Sequence, residues 1–419
     1  MGMTAAETQT PTGYLELIRE NADFRSLWIG QIVSLLGDWF NMVASAALVA
    51  KLTGSELAVG GLFAVRMLAP FVISPFAGVA ADRYNRKHVL ILADLARAVT
   101  VLGFLLVRHP SQVWLLYVLT AIQLGISGFF FPARNAILPD IVSPRAIGAA
   151  NAIGSVTWSV MLAFGAAAGG IVSGVWGIYP AFVIDAITFL VSAFFIGQIR
   201  LGPAAGPAQS PSSIAAALGQ YGEALEYLRR HADTLFVALH KAALAVCFGA
   251  TLQVVQVAIA TRIFPLGKES GLSLGFLFGI LGVGTGIGPI LARRFTGDES
   301  RRLRAAILLA YFTGAAGLAV TAPLWNLAAV LAGTLCCGVG NGMIWVFSTQ
   351  LLLQSVPGMM RGRVFATELA FFTLMAAAGP AVAGMALESP LGITGVLWSM
   401  SGLTLLPAAL WGLWLALGD

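Results

Sequence analysis

The chain has 419 residues, of which 58% are apolar and only 10% are charged, and its formal net charge is +5. Soluble domains carry about 25% charged residues, so this chain has too little charge to coat a water-soluble surface, and the composition indicates an integral membrane protein. The positive balance does not indicate nucleic-acid binding, because the basic residues lie in short loops and form no basic face interleaved with aromatic side chains.

Twelve apolar segments are long enough to cross a membrane. A helix needs about 20 residues to cross a hydrocarbon layer of about 30 Å. We predict spans at 25–50, 57–81, 88–107, 111–131, 147–172, 177–199, 234–261, 270–292, 304–321, 325–350, 363–387 and 391–417. The predicted fold is therefore an all-α integral membrane bundle of twelve transmembrane helices.

The placement of lysine and arginine predicts the orientation. The first 24 residues are polar and lack the layout of a cleaved signal. With the N-terminus inside, the cytoplasmic segments hold seventeen basic residues, whereas the outer loops hold Lys51, Arg108, Arg262 and Lys268. Cytoplasmic loops of membrane proteins are enriched in basic residues, so we expect both termini to be cytoplasmic.

A linker divides the twelve spans into six and six. Residues 201–213 are rich in proline, glycine and serine, which is typical of a flexible segment. The next residues have apolar side chains at helical spacing and predict an amphipathic helix on the inner membrane surface, capped by Ser212 or Ser213. The predicted organisation is a cytoplasmic tail (1–24), an N-terminal six-helix bundle (25–200), a linker with its helix (201–232) and a C-terminal six-helix bundle (233–419).

The two halves resemble each other, which is typical of secondary transporters with a site at the interface of their repeats. The segment at 135–152 precedes span five and the segment at 350–367 precedes span eleven, with Arg145 and Arg361 in matching places. Nothing in the sequence matches the glycine-rich loop that binds nucleotide phosphates, so ATP is not the predicted energy source. Cys247, Cys336 and Cys337 lie in apolar segments without metal-ligand spacing. No metal or other cofactor is predicted.

The loop between spans two and three carries a recognisable motif, "GVAADRYNRK". It resembles the signature loop of the major facilitator superfamily, with Asn85 in place of the usual glycine. Three further stretches, "LADLARA", "FFPARNAILPDIV" and "RGRVFAT", resemble the drug exporter subgroup that contains macrolide-efflux and enterobactin-exporter proteins. The resemblance implies a fold of two pseudo-symmetric six-helix bundles. An arginine in span four and a Gly-Pro motif in span five, found in other drug exporter branches, are absent, so proton coupling does not carry over from them.

The same resemblance implies a cytoplasmic gate, in which the aspartate of this loop docks at the start of span eleven. The helix dipole favours a negative charge there. The gate residues predicted in this way are Asp82, Arg83, Arg86, Lys87, Arg361 and Arg363. We add Asp94 and Arg97, which lie three positions apart on one helix face and are expected to pair. A gate anchor, a proton site and a static ion pair are the three interpretations of this pair.

Charged residues inside spans are candidates for the transport site, because burying a charge in a bilayer is costly. Gln31, Ser34, Asp38, Asn41 and Ser45 form one polar stripe on the first span. Asp38 and Arg66 lie at nearly the same depth, about 20 and 14 Å from opposite membrane faces. We expect them to pair across the N-terminal half or to line the substrate cavity; a static structural pair is the alternative.

Further candidates lie in the remaining spans. Asp185 and Glu368 are acids that could exchange protons, although Glu368 could serve the gate and Asp185 could tie span six to its neighbours. Lys241, near the inner end of span seven, is expected to extend its amine to the membrane surface. Uncharged residues that could line the cavity or serve in helix packing are Gln253, Gln256, Asn341, Trp345, Phe371 and Phe372.

Together these features predict a monomeric secondary active exporter of small amphipathic compounds that works by alternating access, with protons as the coupling ion and lipid as the solvent. Export of one metabolite, such as a siderophore, and movement of a lysolipid are alternatives. A non-transporting membrane sensor is disfavoured, because such a protein would gain stability by losing its midplane charges. An enzyme is not predicted, because no nucleophile–base pair or histidine cluster is present.

Overall fold

A computed structural model of the protein describes residues 13–143, 145–201 and 214–418. Within these ranges the side chains of 74–75, 77–83, 131, 155, 159, 214–221, 358–359 and 418 lie outside the description. All regular secondary structure in the described residues is helical.

The first half of the chain forms a short helix followed by six long ones. Their bounds are α1 (Tyr14–Glu20), α2 (Ala22–Thr53), α3 (Glu56–Arg83), α4 (Arg86–Gly103), α5 (Val113–Ile141), α6 (Ile147–Trp176) and α7 (Ile178–Gly197). The helix predicted after the linker is present as α8 (Ile214–Arg230), whereas its two predicted serine caps lie outside the described residues.

The second half contains α9 (Ala232–Cys247), α10 (Gly249–Ala258), α11 (Gly271–Thr296), α12 (Ser300–Thr321), α13 (Leu327–Ser355), α14 (Gly358–Glu388) and α15 (Gly392–Gly418). Helices α9 and α10 together form one span. Twelve helices of the described chain are long and apolar enough to cross a membrane, so the predicted fold class and span count are confirmed.

The structure differs from the prediction in how the spans end and continue. Helix α5 was expected to end near residue 131, yet it continues through Pro132 and Pro139 to Ile141; proline is tolerated inside membrane helices because neighbouring groups satisfy the freed backbone atoms. Span seven, predicted as one helix, is interrupted at Phe248. Its ring packs against α12 so closely that a Cβ at Gly314 would overlap it.

The two halves meet through two helix pairs, α6 with α11 and α3 with α14. Between α6 and α11 the backbones approach so closely at Gly170 and Gly275 that a Cβ on either would overlap the other helix. Helix α3 meets α14 in the same way where Gly60 faces the backbone of Pro380. Small residues allow such close approach of membrane helices. These contacts make the halves one packed body.

An even number of spans places both ends of the chain on one side, which we call the termini face; the opposite side is the distal face. At the distal face, ion pairs join the halves: Lys51 Nζ lies 3.0 Å from Glu269 Oε1, and Arg262 pairs with Glu56. Arg262 also donates to the carbonyl of Gly54, 3.1 Å away, a glycine that ends α2 with a left-handed backbone. The distal face is therefore closed by polar contacts between the halves.

Candidate functional site

The polar stripe of α2 lies inside the first half, as its spacing indicates. Gln31, Ser34, Asn41 and Ser45 are buried, and Ser45 donates to Asn41 Oδ1 at 3.1 Å. Asp38 differs from them, because 25% of its side chain remains exposed. The stripe therefore reaches an accessible surface at Asp38.

Asp94 and Arg97 of α4 form the expected ion pair, buried in the first half. The guanidinium group of Arg97 lies 3.8 Å from Asp38 Oδ2 and donates to Ser127 Oγ at 3.3 Å. The same group lies over the ring of Phe189, 4.2 Å from its centroid, a favourable position for a cation. Arg97 thus holds one acid from its own helix and one from α2.

Arg66 and Asp185 complete this group of five ionisable side chains, which we call the first-half cluster: Asp38, Arg66, Asp94, Arg97 and Asp185. Arg66 of α3 is 9% exposed and lies in the electrostatic field of both Asp38 and Asp185. Asp185 of α7 is fully buried, close to Gly37 and Asn41 of α2. The expected direct pairing of Asp38 with Arg66 is therefore corrected: the close partner of Asp38 is Arg97, because α4 brings its guanidinium nearer.

A second buried ion pair lies in the second half. Lys241 Nζ of α9 lies 3.0 Å from Glu368 Oε2 of α14, and both residues are almost fully buried. The amine also lies over the Trp345 ring, 4.6 Å from its centroid, with Phe365 at 5.9 Å. The prediction that Lys241 extends to the membrane surface is wrong, because the carboxylate and the ring provide a better partner inside the bundle.

Polar and aromatic side chains surround this second pair. Trp345 stacks edge-to-face on Phe372 at 5.1 Å, and Asn341 donates to Thr285 Oγ1 at 3.3 Å. Gln253 is partly exposed, whereas Gln256 is 1% exposed and has no hydrogen-bond partner for its amide among the described residues. Of the uncharged candidates in this half, Gln256 is thus the most buried, and the side chains of the others are partly exposed.

The predicted gate residues are separated in the structure. The side chains of Asp82 and Arg83 lie outside the described part of the chain. Arg86 pairs with Asp140 at 2.7 Å. Lys87 Nζ donates to the carbonyl oxygens of Gly197 and Ile199, each 2.8 Å away. Both basic residues therefore brace helices within the first half.

On the second half, the two remaining gate residues have other partners. Arg363 pairs with Glu223 of α8 at 2.5 Å, and Arg361 donates to the carbonyl of Val356 at 3.0 Å. Asp94 and Arg97 lie in the first-half cluster. Docking of the loop aspartate at the start of α14 stays a prediction.

Sequence reasoning missed the residues that close the distal face. Glu56, Glu269 and Glu388 lie in loops or at helix ends, where a single acid gives no periodic signal. Ser55 donates to Glu388, which also accepts from the backbone N–H of Leu57 at 3.1 Å. The sequence signal for these residues is that the outer loops carry few charged residues, whereas the inner loops carry many. Each outer charge is therefore a candidate for a specific contact.

The fold and its buried charges together define a class of protein. Twelve spans in two halves, a closed distal face and buried ionisable groups in both halves are the features of a secondary transporter. The chain belongs to the Major Facilitator Superfamily, whose profile matches residues 27–380. It is thus a multi-pass membrane transporter of small molecules and not an enzyme.

Similar proteins agree with this assignment. An uncharacterized MFS-type transporter of Bacillus subtilis, YfiS, is 28% identical over 89% of this chain and 88% of its own length. A putative bacilysin exporter of Bacillus amyloliquefaciens, BacE, is 26% identical over 84% and 86%. Macrolide efflux protein A of Streptococcus pyogenes is 26% identical over 42% and 44%. The resemblance to the drug exporter subgroup is thereby confirmed.

Solved structures share the fold at lower identity. A bacterial homologue of the human lysosomal transporter Spinster, in an inward-facing and unoccupied conformation, superposes with a TM-score of 0.72 at 16% identity, covering 94% of this chain and 97% of the other. The nucleoside transporter NupG gives 0.71 at 14% identity, covering 93% and 98%. These likenesses establish the fold alone.

Proposed function

We propose that the protein exports small amphipathic compounds from the cell by alternating access, coupled to the inward movement of protons, with both termini in the cytoplasm. The observation that carries the proposal is the first-half cluster, which is buried except where Asp38 is exposed. A charged network that is costly to bury and open at one point is suited to ion exchange during a transport cycle.

The direction of transport is supported by the relatives. Two of them are named for export, one for bacilysin and one for macrolides. The excess of basic residues near the termini face supports a cytoplasmic location of that face. In this orientation the face that the ion pairs close is the external one.

Alternating access is supported by the way the halves meet. The ion pairs between the halves lie at the distal face. On α11, a Cβ at Gly275 would overlap the other half, whereas a Cβ at Gly286, nearer the termini face, would meet open space. Breaking the distal contacts and packing the opposite ends of the same helices would move access from one face to the other.

Proton coupling is supported by a count of charges. Three carboxylates, Asp38, Asp94 and Asp185, share one cluster with two guanidinium groups, Arg66 and Arg97. With all five ionised, the cluster would hold one uncompensated negative charge inside the membrane. One bound proton would remove it, and losing that proton would demand access to water.

An amphipathic substrate is supported by the second half. Trp345 and Phe372 are in edge-to-face contact, and Asn341 has a carbonyl oxygen without a hydrogen-bond partner among the described residues. Aromatic surface with a few polar groups is typical of sites for organic ligands.

The proposal is tested by efflux of the lipophilic cationic dye ethidium from cells that lack their own major pumps. Wild-type protein and Asp38→Asn are compared with and without a protonophore. We expect extrusion that the protonophore stops and that Asp38→Asn lowers at least ten-fold. Asp233→Asn is the matched control, because Asp233 is exposed at the start of α9, away from the cluster.

Two outcomes would contradict the proposal. Extrusion that continues unchanged in the presence of protonophore would exclude proton coupling. If a panel of dyes and drugs gave no export despite normal membrane expression, a broad exporter would be excluded. Export of one metabolite or movement of a lysolipid would then be tested with those compounds.

A further inference from the structure

The three acids of the first-half cluster have different surroundings, although the sequence gives them no distinction. Asp94 is directly ion-paired with Arg97. Asp38 lies 3.8 Å from the same guanidinium group and keeps a quarter of its side chain exposed, so water can stabilise its charge. Each of these acids therefore has a partner for a negative charge.

Asp185 lacks both kinds of compensation. Its exposure is 0%, and among the described residues its side chain forms no ion pair. The polar group beside its carboxyl is the amide of Asn41 of α2, a neutral donor that cannot balance a negative charge. An isolated charge at such a place is costly.

The charged groups that face Asp185 come from three helices. They are Asp38 of α2, Arg66 of α3 and Arg97 of α4, and Arg97 in turn is ion-paired with Asp94. Helix α6, which also packs on α7, has no charged residue between Ile147 and Trp176, and α7 has no other charge of its own. A neutral Asp185 would leave two acids facing two guanidinium groups, which is a balanced set.

We propose that Asp185 is the residue that binds the transported proton, and that Asp38 is the point where the proton exchanges with water. The inference rests on the proposed function and identifies the proton-binding residue within it. Arg66 lies in the field of both acids and has one guanidinium nitrogen, Nη1, without a partner among the described residues. Arg66 can therefore compensate the negative charge of either acid, first that of Asp38 and then that of Asp185.

The same geometry links proton release to opening of the cluster. Close packing between α2 and α7 holds Asp185, because a Cβ at Gly37 would overlap Asp185 Oδ1 and Thr188 Oγ1. The proton on the Asp185 carboxyl can pass to water only if α2 and α7 separate or if water enters beside Asp38. Release then leaves a carboxylate that Arg66 neutralises.

The test uses infrared spectroscopy of the purified full-length protein in lipid vesicles, without substrate. We expect the carbonyl band of a protonated carboxylic acid in the wild type. It should shift slowly in D₂O, because the group is buried, and it should be lost in Asp185→Asn. Asp233→Asn should keep the band, and size-exclusion profiles of the variants would show that they remain folded.

Three results would overturn the proposal: no such band in the wild type, a band that persists in Asp185→Asn, or a band that shifts at once in D₂O, which would indicate the exposed Asp38. Ethidium uptake into vesicles under an imposed pH gradient separates this result from the proposed function. We expect Asp185→Asn to lose gradient-driven uptake at least ten-fold. Absence of gradient-driven uptake in the wild type would instead reject the proposed function and leave the infrared result standing.

Discussion

The amine of Lys241 lies 3.0 Å from the carboxylate of Glu368 in the interior of the second half. Each group lies in an environment where a single charge would be unstable, and each compensates the other. The pair joins α9 to α14, the helix that also meets the first half. A pair that only stabilises the fold and a pair that takes part in transport should respond differently to mutation.

Removing one partner should be more harmful than removing both. We expect Lys241→Met and Glu368→Met each to lower stability by about 3–5 kcal/mol, because each leaves an uncompensated buried charge. The double variant should recover most of this loss, as measured by thermal unfolding in detergent. If the double variant recovers stability and dye export together, the pair is structural; stability without export identifies it as part of the transport cycle.

Arg97 should not be replaceable by lysine. Its planar group contacts Asp94, Asp38 and Ser127 and lies over Phe189, an arrangement that an ammonium group cannot reproduce. We expect Arg97→Lys to reduce ethidium export by about ten-fold while the protein remains in the membrane, and Arg97→Met to abolish export. Full activity of the lysine variant would show that only the charge matters. Arg293→Lys, at an exposed residue, is the matched control.

Two glycines of α11 should respond differently to the same change. A Cβ at Gly275 would overlap the backbone of Gly170, whereas a Cβ at Gly286 would meet nothing within 4 Å. We expect Gly275→Ala to cost about 1–3 kcal/mol through overpacking and to lower export. Gly286→Ala should be neutral or stabilising by up to about 1 kcal/mol. Equal effects in unfolding measurements would contradict the close approach of α6 and α11.

The ion pairs of the distal face should bias the protein toward its closed form. Reversing one charge, as in Glu269→Lys, places two cations together and should favour opening by about 1 kcal/mol, or about five-fold. Exchanging both, Lys51→Glu with Glu269→Lys, should restore closure. The measurement is labelling of Val59→Cys by a membrane-impermeant maleimide; Val59 lines a cavity of about 300 Å³ together with the residues of these pairs. Equal labelling with the native pair, with Glu269→Lys and with the double exchange would exclude a gating role. High salt should reduce the differences in labelling between them.

Much of the architecture follows from local pattern. The twelve spans are confirmed because the length of an apolar run is set by membrane thickness, whatever the helix packs against. The pairing of Asp94 with Arg97 was also predictable, since a separation of three residues places both on one helix face. Helix ends were less predictable. Proline usually ends a helix in a soluble protein, yet α5 continues through Pro132.

The candidate site was only partly predictable. The sequence marks Asp38, Arg66 and Asp185 as unusual because a charge inside an apolar run stands out. It does not say which acid meets which base, because the partners lie on α2, α3, α4 and α7, and their approach depends on helix rotation and tilt. Lys241 shows the error that results: proximity to a helix end suggested an extended amine, whereas α14 supplies Glu368.

The sequence by itself determined that the chain is a twelve-span membrane protein, that its halves are related, and that a few charged residues lie inside the bilayer. These conclusions depend on composition and on spacing along one helix, which are local properties. Only the tertiary structure decided that five charges from four helices form one cluster, that Asp185 has no ion pair among the described residues, and that acids in loops and at helix ends close the distal face. The physical reason is that the energy of a buried charge depends on its neighbours in space, and those neighbours are distant in the chain.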